Sequence, residues 1–99
     1  MHESVLTRRV ISGLKKEYGG SWHKIHGSPY QRAGLPDIIG CLKGQFFGIE
    51  VKMPGNRPTD LQRATLEKLA SDGAVCGIVH SLSEAQSLVG TGSPGVVRW

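Results

Sequence analysis

The sequence predicts one α/β domain in which helices flank a mixed sheet. Apolar residues recur with helical spacing in the first 18 residues, short apolar runs typical of strands follow, and a well-punctuated second helix separates two of these strands. Ninety-nine residues are the size of one domain, so residues 1–99 are predicted to form a single domain. The predicted order is α-β-β-β-α-β-α with a possible final strand, and its first six elements form an αβββαβ core.

The chain begins with a predicted helix over residues 3–18, ended by two glycines, and a strand over residues 21–26. The apolar arc of the helix consists of Leu6, Val10, Ile11, Leu14 and Tyr18. Glu3 lies in the same arc, one turn before Leu6. It is either a first-turn carboxylate that the helix dipole favours or a functional residue.

Two further strands, over residues 37–42 and 45–51, are joined at Lys43-Gly44, a pair typical of a two-residue hairpin turn. Both runs are apolar at nearly every position, which predicts a hairpin buried on both faces. Cys41 and Cys76 lie in apolar strands and are expected to be buried.

The second half of the chain is predicted to alternate helices and strands after a loop over residues 53–58. A helix over 59–72 carries a capping box between Thr59 and Gln62. A strand over 74–79, a helix over 83–89 with Ser83 as N-cap, and a last strand over 96–99 complete the fold.

A two-residue turn at Lys43-Gly44 places Asp37 directly opposite Glu50, with Cβ atoms about 4.5–5.5 Å apart. Lys52 lies two residues beyond Glu50 and shares its face. Two opposed carboxylates on an apolar hairpin repel each other, and a hard divalent cation, Mg²⁺ or Mn²⁺, removes that repulsion. The Val51 carbonyl could supply a further ligand. The alternative is a surface hairpin whose charges are solvated.

With a lysine beside the cation to position water or stabilise a phosphate, these parts suit phosphodiester hydrolysis. The same residues resemble the PD-(D/E)XK nuclease motif and, more specifically, the VRR-NUC family (virus-type replication-repair nucleases). The matching stretches are residues 34–40 (GLPDIIG), residues 47–52 (FGIEVK) and Leu61-Gln62. The resemblance runs from Glu3 through the strand after Gly73.

This resemblance implies a restriction-endonuclease-like fold and a metal-dependent, structure-selective DNA endonuclease, of the stand-alone kind found in phages and similar to archaeal Holliday junction resolvases. It makes Asp37 and Glu50 metal ligands, Lys52 the catalytic lysine and Gln62 the glutamine of the second helix. Glu3 would complete the metal site. The capping box is the competing role for Gln62. The resemblance also implies a homodimer that cuts branched DNA, above all four-way junctions.

The formal net charge of +4 and the pI of about 9.4 agree with an anionic partner. Candidate phosphate contacts are Arg8, Arg9, Lys15, Lys16, Lys24, Arg32 and Arg57. No base-reading motif is present in the sequence, which favours recognition of DNA shape over sequence. A flap or linear-duplex nuclease of the same fold, and a catalytically idle basic DNA-binding module, remain alternatives.

Composition excludes several other classes of protein. Because 38% of its residues are hydrophobic and only 20% are charged, the chain is not a highly charged disordered segment. Because it has only two cysteines, it is not a disulfide scaffold. Its longest strongly apolar run, around residues 74–79, is too short to span a membrane. Arg8 and Arg9 interrupt any signal peptide, so a cytoplasmic protein is expected.

Overall fold

The computed structural model describes residues 1–27 and 33–99. Along the chain the elements are α1 (Glu3–Tyr18), β1 (Ser21–Lys24), β2 (Ile38–Leu42), β3 (Gln45–Val51), α2 (Asp60–Ser71), β4 (Val75–Val79), α3 (Leu82–Thr91) and β5 (Gly95–Arg98). Within these residues the five strands form one sheet in the order β1-β2-β3-β4-β5. The β1-β2 and β2-β3 pairs are antiparallel, and the β3-β4 and β4-β5 pairs are parallel. The predicted α/β class, with a mixed sheet between helices, is confirmed.

Each face of the sheet has its own apolar core, and alternation along β3 divides its side chains between them. Phe47, Ile49 and Val51 point into the larger core, which α1 and α3 cover. Leu66 of α2 packs on Cys76 in the smaller core of the opposite face. Glu50 lies between two residues of the larger core and therefore faces the side of α2.

The helix α1 is held by its apolar arc, as its spacing predicted. Val10 and Leu14 are completely buried, and Leu6 is nearly so. Burial of each such side chain contributes roughly 1.5–3 kcal/mol. Truncation of Leu14 to alanine would therefore destabilise the domain by about 2–5 kcal/mol, since a cavity would remain beneath the helix.

The β2-β3 turn fixes the register that the sequence predicted. Lys43 and Gly44 have φ angles of 50° and 82°, the left-handed pair required by a type I′ turn. Ile38 pairs with Ile49 and Ile39 with Gly48. The same register, continued by one residue, brings Asp37 beside Glu50.

The hairpin is not buried on both faces, contrary to expectation. Cys41 is exposed, not buried, and Phe46 retains 40% of its exposure. The cause is the position of α2, which packs mainly against β4 and β5 and leaves the β1-β2 end of its face uncovered.

Several element boundaries also differ from the prediction by one or two residues, and two of these differences have a structural interest. The strand β1 ends at Lys24, two residues early. The N-cap of α3 is Ser81, not Ser83, because the Ser81 hydroxyl accepts a hydrogen bond from the Glu84 amide and the helix starts at Leu82. Among the described helices, none has the length and apolar character needed to cross a membrane.

Candidate active site

Asp37 is anchored at the open end of the hairpin. Its Oδ2 accepts a hydrogen bond from the Val51 amide at 2.8 Å, and its backbone carbonyl accepts one from the Ile25 amide at 2.8 Å. Burial raises the pKa of Asp37, and the charge of Glu3 adds to this, while the Val51 amide, Lys52 and Lys24 oppose it. The carboxyl group is thus fixed in position, and its Oδ1 accepts no hydrogen bond from the described residues.

Glu50 is the most unusual residue of the site. It is completely buried, and neither of its carboxylate oxygens has a hydrogen-bond partner among the described residues. Burial, followed by the charge of Asp37, raises the pKa of Glu50 to about 7. Lys52 and the backbone amide of Asp37 favour the charged form, but neither has the geometry of a hydrogen bond to Glu50. An unsatisfied buried carboxyl group destabilises the fold, which suggests that it serves a ligand.

Lys52 lies between Glu50 and solvent. Its Nζ is 3.4 Å from Glu50 Oε2, and its side chain is 14% exposed. Its backbone amide donates to the Val79 carbonyl at 3.0 Å, so the residue continues the β3-β4 ladder and its backbone is held in place. The ammonium group can therefore meet a ligand while it remains next to the buried carboxylate.

The chemistry of this donor set fits a divalent cation. The Glu50 oxygens, which accept no hydrogen bond from the described residues, and Oδ1 of Asp37 are hard ligands of the kind that Mg²⁺ and Mn²⁺ prefer. The described residues include no group of three or more His, Cys, Asp or Glu side chains arranged to hold a metal. The charge of Glu3 acts on Asp37 and helps to raise its pKa. The ligand roles of Glu3 and of the Val51 carbonyl stay predictions.

Gln62 is engaged in the cap of α2. Its Oε1 accepts from the Thr59 amide at 2.8 Å, and its own amide donates to Thr59 Oγ1 at 3.1 Å. Both halves of the predicted capping box are therefore formed. The catalytic assignment of Gln62 stays a prediction that competes with this structural role.

The structure scatters the predicted DNA-contacting residues over two faces. The four basic residues of α1 are all exposed, on the helix that covers the face opposite α2; they are Arg8, Arg9, Lys15 and Lys16. Lys24 ends β1 and lowers the pKa of Asp37. Arg57 is exposed in the loop between Lys52 and α2. Arg32 lies outside the described residues.

A cluster of basic residues around Arg57 was missed by the sequence analysis. Arg63 of α2, Arg98 of β5 and the half-exposed Trp99 line the same cavity as Arg57. The signal was available in part, because alternation along β5 puts Arg98 on the same face as Val96, which packs in the smaller core. The pairing of Ile78 with Arg98 depends on the register between β4 and β5, which the sequence does not specify.

Comparison with known proteins identifies the fold. A solved structure described as a VRR_NUC domain matches with a TM-score of 0.72 and 23% sequence identity. The match covers 91% of this chain and 97% of the other, so the two share their fold over nearly their whole length. No protein-family model and no curated protein matches the sequence.

Proposed function

We propose that this protein is a metal-dependent, structure-selective DNA endonuclease of the PD-(D/E)XK type. The observation that carries the proposal is the buried Glu50 carboxyl group, which has no hydrogen-bond partner among the described residues and lies beside Asp37 and Lys52. The VRR_NUC fold supports it, since the matched structure has the same architecture. Metal dependence and the preference for four-way junctions belong to the proposal.

In this mechanism each residue has a separate task. Asp37 and Glu50 would hold the cation, and the Val51 amide fixes the orientation of the Asp37 carboxylate. When bound, the cation would polarise the phosphodiester and make a water more acidic. Lys52 places its ammonium beside the reacting phosphate, where it orients the water and stabilises the negative charge that develops during attack. The products would carry a 5′-phosphate and a 3′-hydroxyl.

The working unit in this proposal is a homodimer in the cytoplasm. A four-way junction has two equivalent strands to cut, and a twofold axis presents two identical sites to them. The backbone edge of β5 is our candidate for the interface, because it has no strand partner within the described sheet, whereas the Arg98 side chain lies on the α2 face of that sheet. Light scattering should give a mass near twice 10.7 kDa, whereas a monomer that cuts only flaps or ends would favour the flap-nuclease alternative.

Cleavage assays test the activity directly. The purified protein would be incubated with Mn²⁺ and labelled four-way junction, flap, splayed-arm and linear duplex DNA. We expect cleavage of branched DNA that is lost in Asp37→Asn and in Glu50→Gln, while Lys52→Ala cuts orders of magnitude more slowly with nearly unchanged affinity. Asp72→Asn, which removes an exposed carboxylate at the end of α2, is the matched control and should retain full activity.

Two results would contradict the proposal. Cleavage at the native rate by either carboxylate variant would show that the assigned site is wrong. Binding of DNA without cleavage of any substrate would instead support the catalytically idle DNA-binding module.

A further inference from the structure

The cavity beside the candidate active site has the chemistry of a nucleotide site. It measures about 280 Å³, and its walls carry three arginines from three different elements. They are Arg57 from the loop before α2, Arg63 from α2 and Arg98 from β5. Cavities that enclose whole drug-sized ligands are usually larger, so this one suits a single small group. We refer to it as the arginine pocket.

The arginine pocket adjoins the carboxylates through the sheet itself. Glu50 pairs with Ile78 on β4, and Ile78 pairs with Arg98 on β5, so the three residues form a row across adjacent strands. Two strand spacings separate Glu50 from Arg98, about 10 Å. Ile78 also lines the pocket. A DNA strand whose phosphate lies at Glu50 and Lys52 can therefore continue into the pocket.

The charges around the pocket leave its arginines open to a phosphate. Arg63 pairs with Asp60, and Arg98 pairs with Glu67, but the side chains of both pairs are about half exposed or more. Exposed ion pairs of this kind contribute little, so a phosphate can replace the carboxylates. Guanidinium groups bind phosphate oxygens through two parallel hydrogen bonds, which favours arginine for this task.

An aromatic ring at the rim extends the site beyond one phosphate. Trp99 lines the pocket and is 48% exposed, although tryptophan normally buries most of its surface. Exposed aromatic rings beside basic grooves are the platforms on which unpaired nucleic-acid bases stack. A paired base inside a duplex does not offer its flat face to such a ring.

We propose that the arginine pocket binds the phosphate of an unpaired nucleotide next to the cleaved phosphodiester, and that Trp99 stacks on its base. This inference rests on the proposed nuclease function and, among branched DNAs, favours flaps, splayed arms and junctions with unpaired nucleotides at the cut over a fully paired four-way junction. In this inference Arg57, Arg63 and Arg98 contact the phosphate, and Trp99 contacts the base.

Binding without cleavage tests the charge of the pocket. A fluorescein-labelled single-stranded oligonucleotide would be titrated in EDTA with the native protein and with the double variant Arg57→Gln/Arg98→Gln. We expect the variant to bind at least tenfold more weakly, with a salt slope smaller by about 0.7, the value for one phosphate of a single strand. The control Lys43→Gln/Lys68→Gln removes the same two charges elsewhere and should bind like the native protein.

Tryptophan fluorescence tests the stacking. The oligonucleotide should quench emission from the native protein and have little effect on Trp99→Phe, because the remaining Trp22 is 1% exposed. Blunt duplex DNA and inorganic phosphate should not reproduce the quenching. Thermal unfolding followed by circular dichroism would check that each variant is folded.

The outcomes separate this inference from the proposed function. Equal binding by the arginine double variant, or quenching by phosphate or blunt duplex alone, would overturn the inference even if the protein cuts DNA. A protein that shows the expected binding and quenching but cuts nothing with Mn²⁺ would refute the nuclease and leave the nucleotide site in place.

Discussion

Replacement of Glu50 by glutamine should change how the stability of the metal-free protein depends on pH. In the folded state the pKa of Glu50 is raised to about 7 by burial and by Asp37, compared with 4.5 for the free group. Between pH 4.5 and pH 7, unfolding is therefore accompanied by release of the Glu50 proton. The stabilising effect of the protonated group is fully present below about pH 4.5 and is lost as the pH rises through 7.

The size of the effect follows from the shift. The rise of the Glu50 pKa from 4.5 to about 7 corresponds to about 3 kcal/mol of unfolding free energy, which the native protein should lose between pH 4.5 and pH 8. Glutamine cannot ionise, so this loss should be absent in Glu50→Gln.

Urea unfolding in EDTA at pH 5 and pH 8 measures the difference. The control is Glu67→Gln, whose exposed carboxylate should leave the native pH dependence intact. Mn²⁺ added at pH 8 should stabilise the native protein and have little effect on Glu50→Gln, because in the proposed site the cation binds the charged carboxylate. The reasoning is refuted if the native protein and Glu50→Gln show the same change in unfolding free energy between the two pH values.

Two further predictions follow from described contacts. If Gln62 acts only as a cap, Gln62→Ala and Thr59→Ala should each lose about 1 kcal/mol in urea unfolding and retain full cleavage; a large rate loss confined to Gln62→Ala would show the catalytic role. Maleimide should label the exposed Cys41 quickly and the buried Cys76 only on unfolding, because burial also raises the pKa of the Cys76 thiol to about 11. Mass spectrometry of the labelled peptides measures both rates. Rapid labelling of both cysteines would contradict the described packing.

The sequence predicted the elements that depend on local chemistry. The capping box of α2 and the Lys43-Gly44 turn are determined by residues that are neighbours in the chain. The type of this turn then fixes the register that brings Asp37 to Glu50. The exposure of Cys41 could not be predicted in this way. It depends on how far α2 reaches across the sheet, which is decided by packing between residues distant in the chain.

Contacts between residues distant in the chain also limited what the sequence could predict about the candidate site. The carboxylates and Lys52 lie on one hairpin, so alternation and a turn type were sufficient to group them. The arginine pocket combines a loop, a helix and an edge strand, and only the parallel β4-β5 pairing brings Arg98 to the others. Sequence patterns carry little information about such non-local neighbours.

The parallel arrangement of β3, β4 and β5 has a consequence for how this protein could change. All three carboxyl ends open at the same edge of the sheet, so Lys52, His80 and Trp99 each follow a strand without belonging to its buried part. Substitutions at these positions alter what the edge contacts and leave both apolar cores intact. Substrate preference can thus be varied at His80 and Trp99, one strand end at a time, with little penalty in folding, whereas Lys52 is tied to its place beside the buried Glu50.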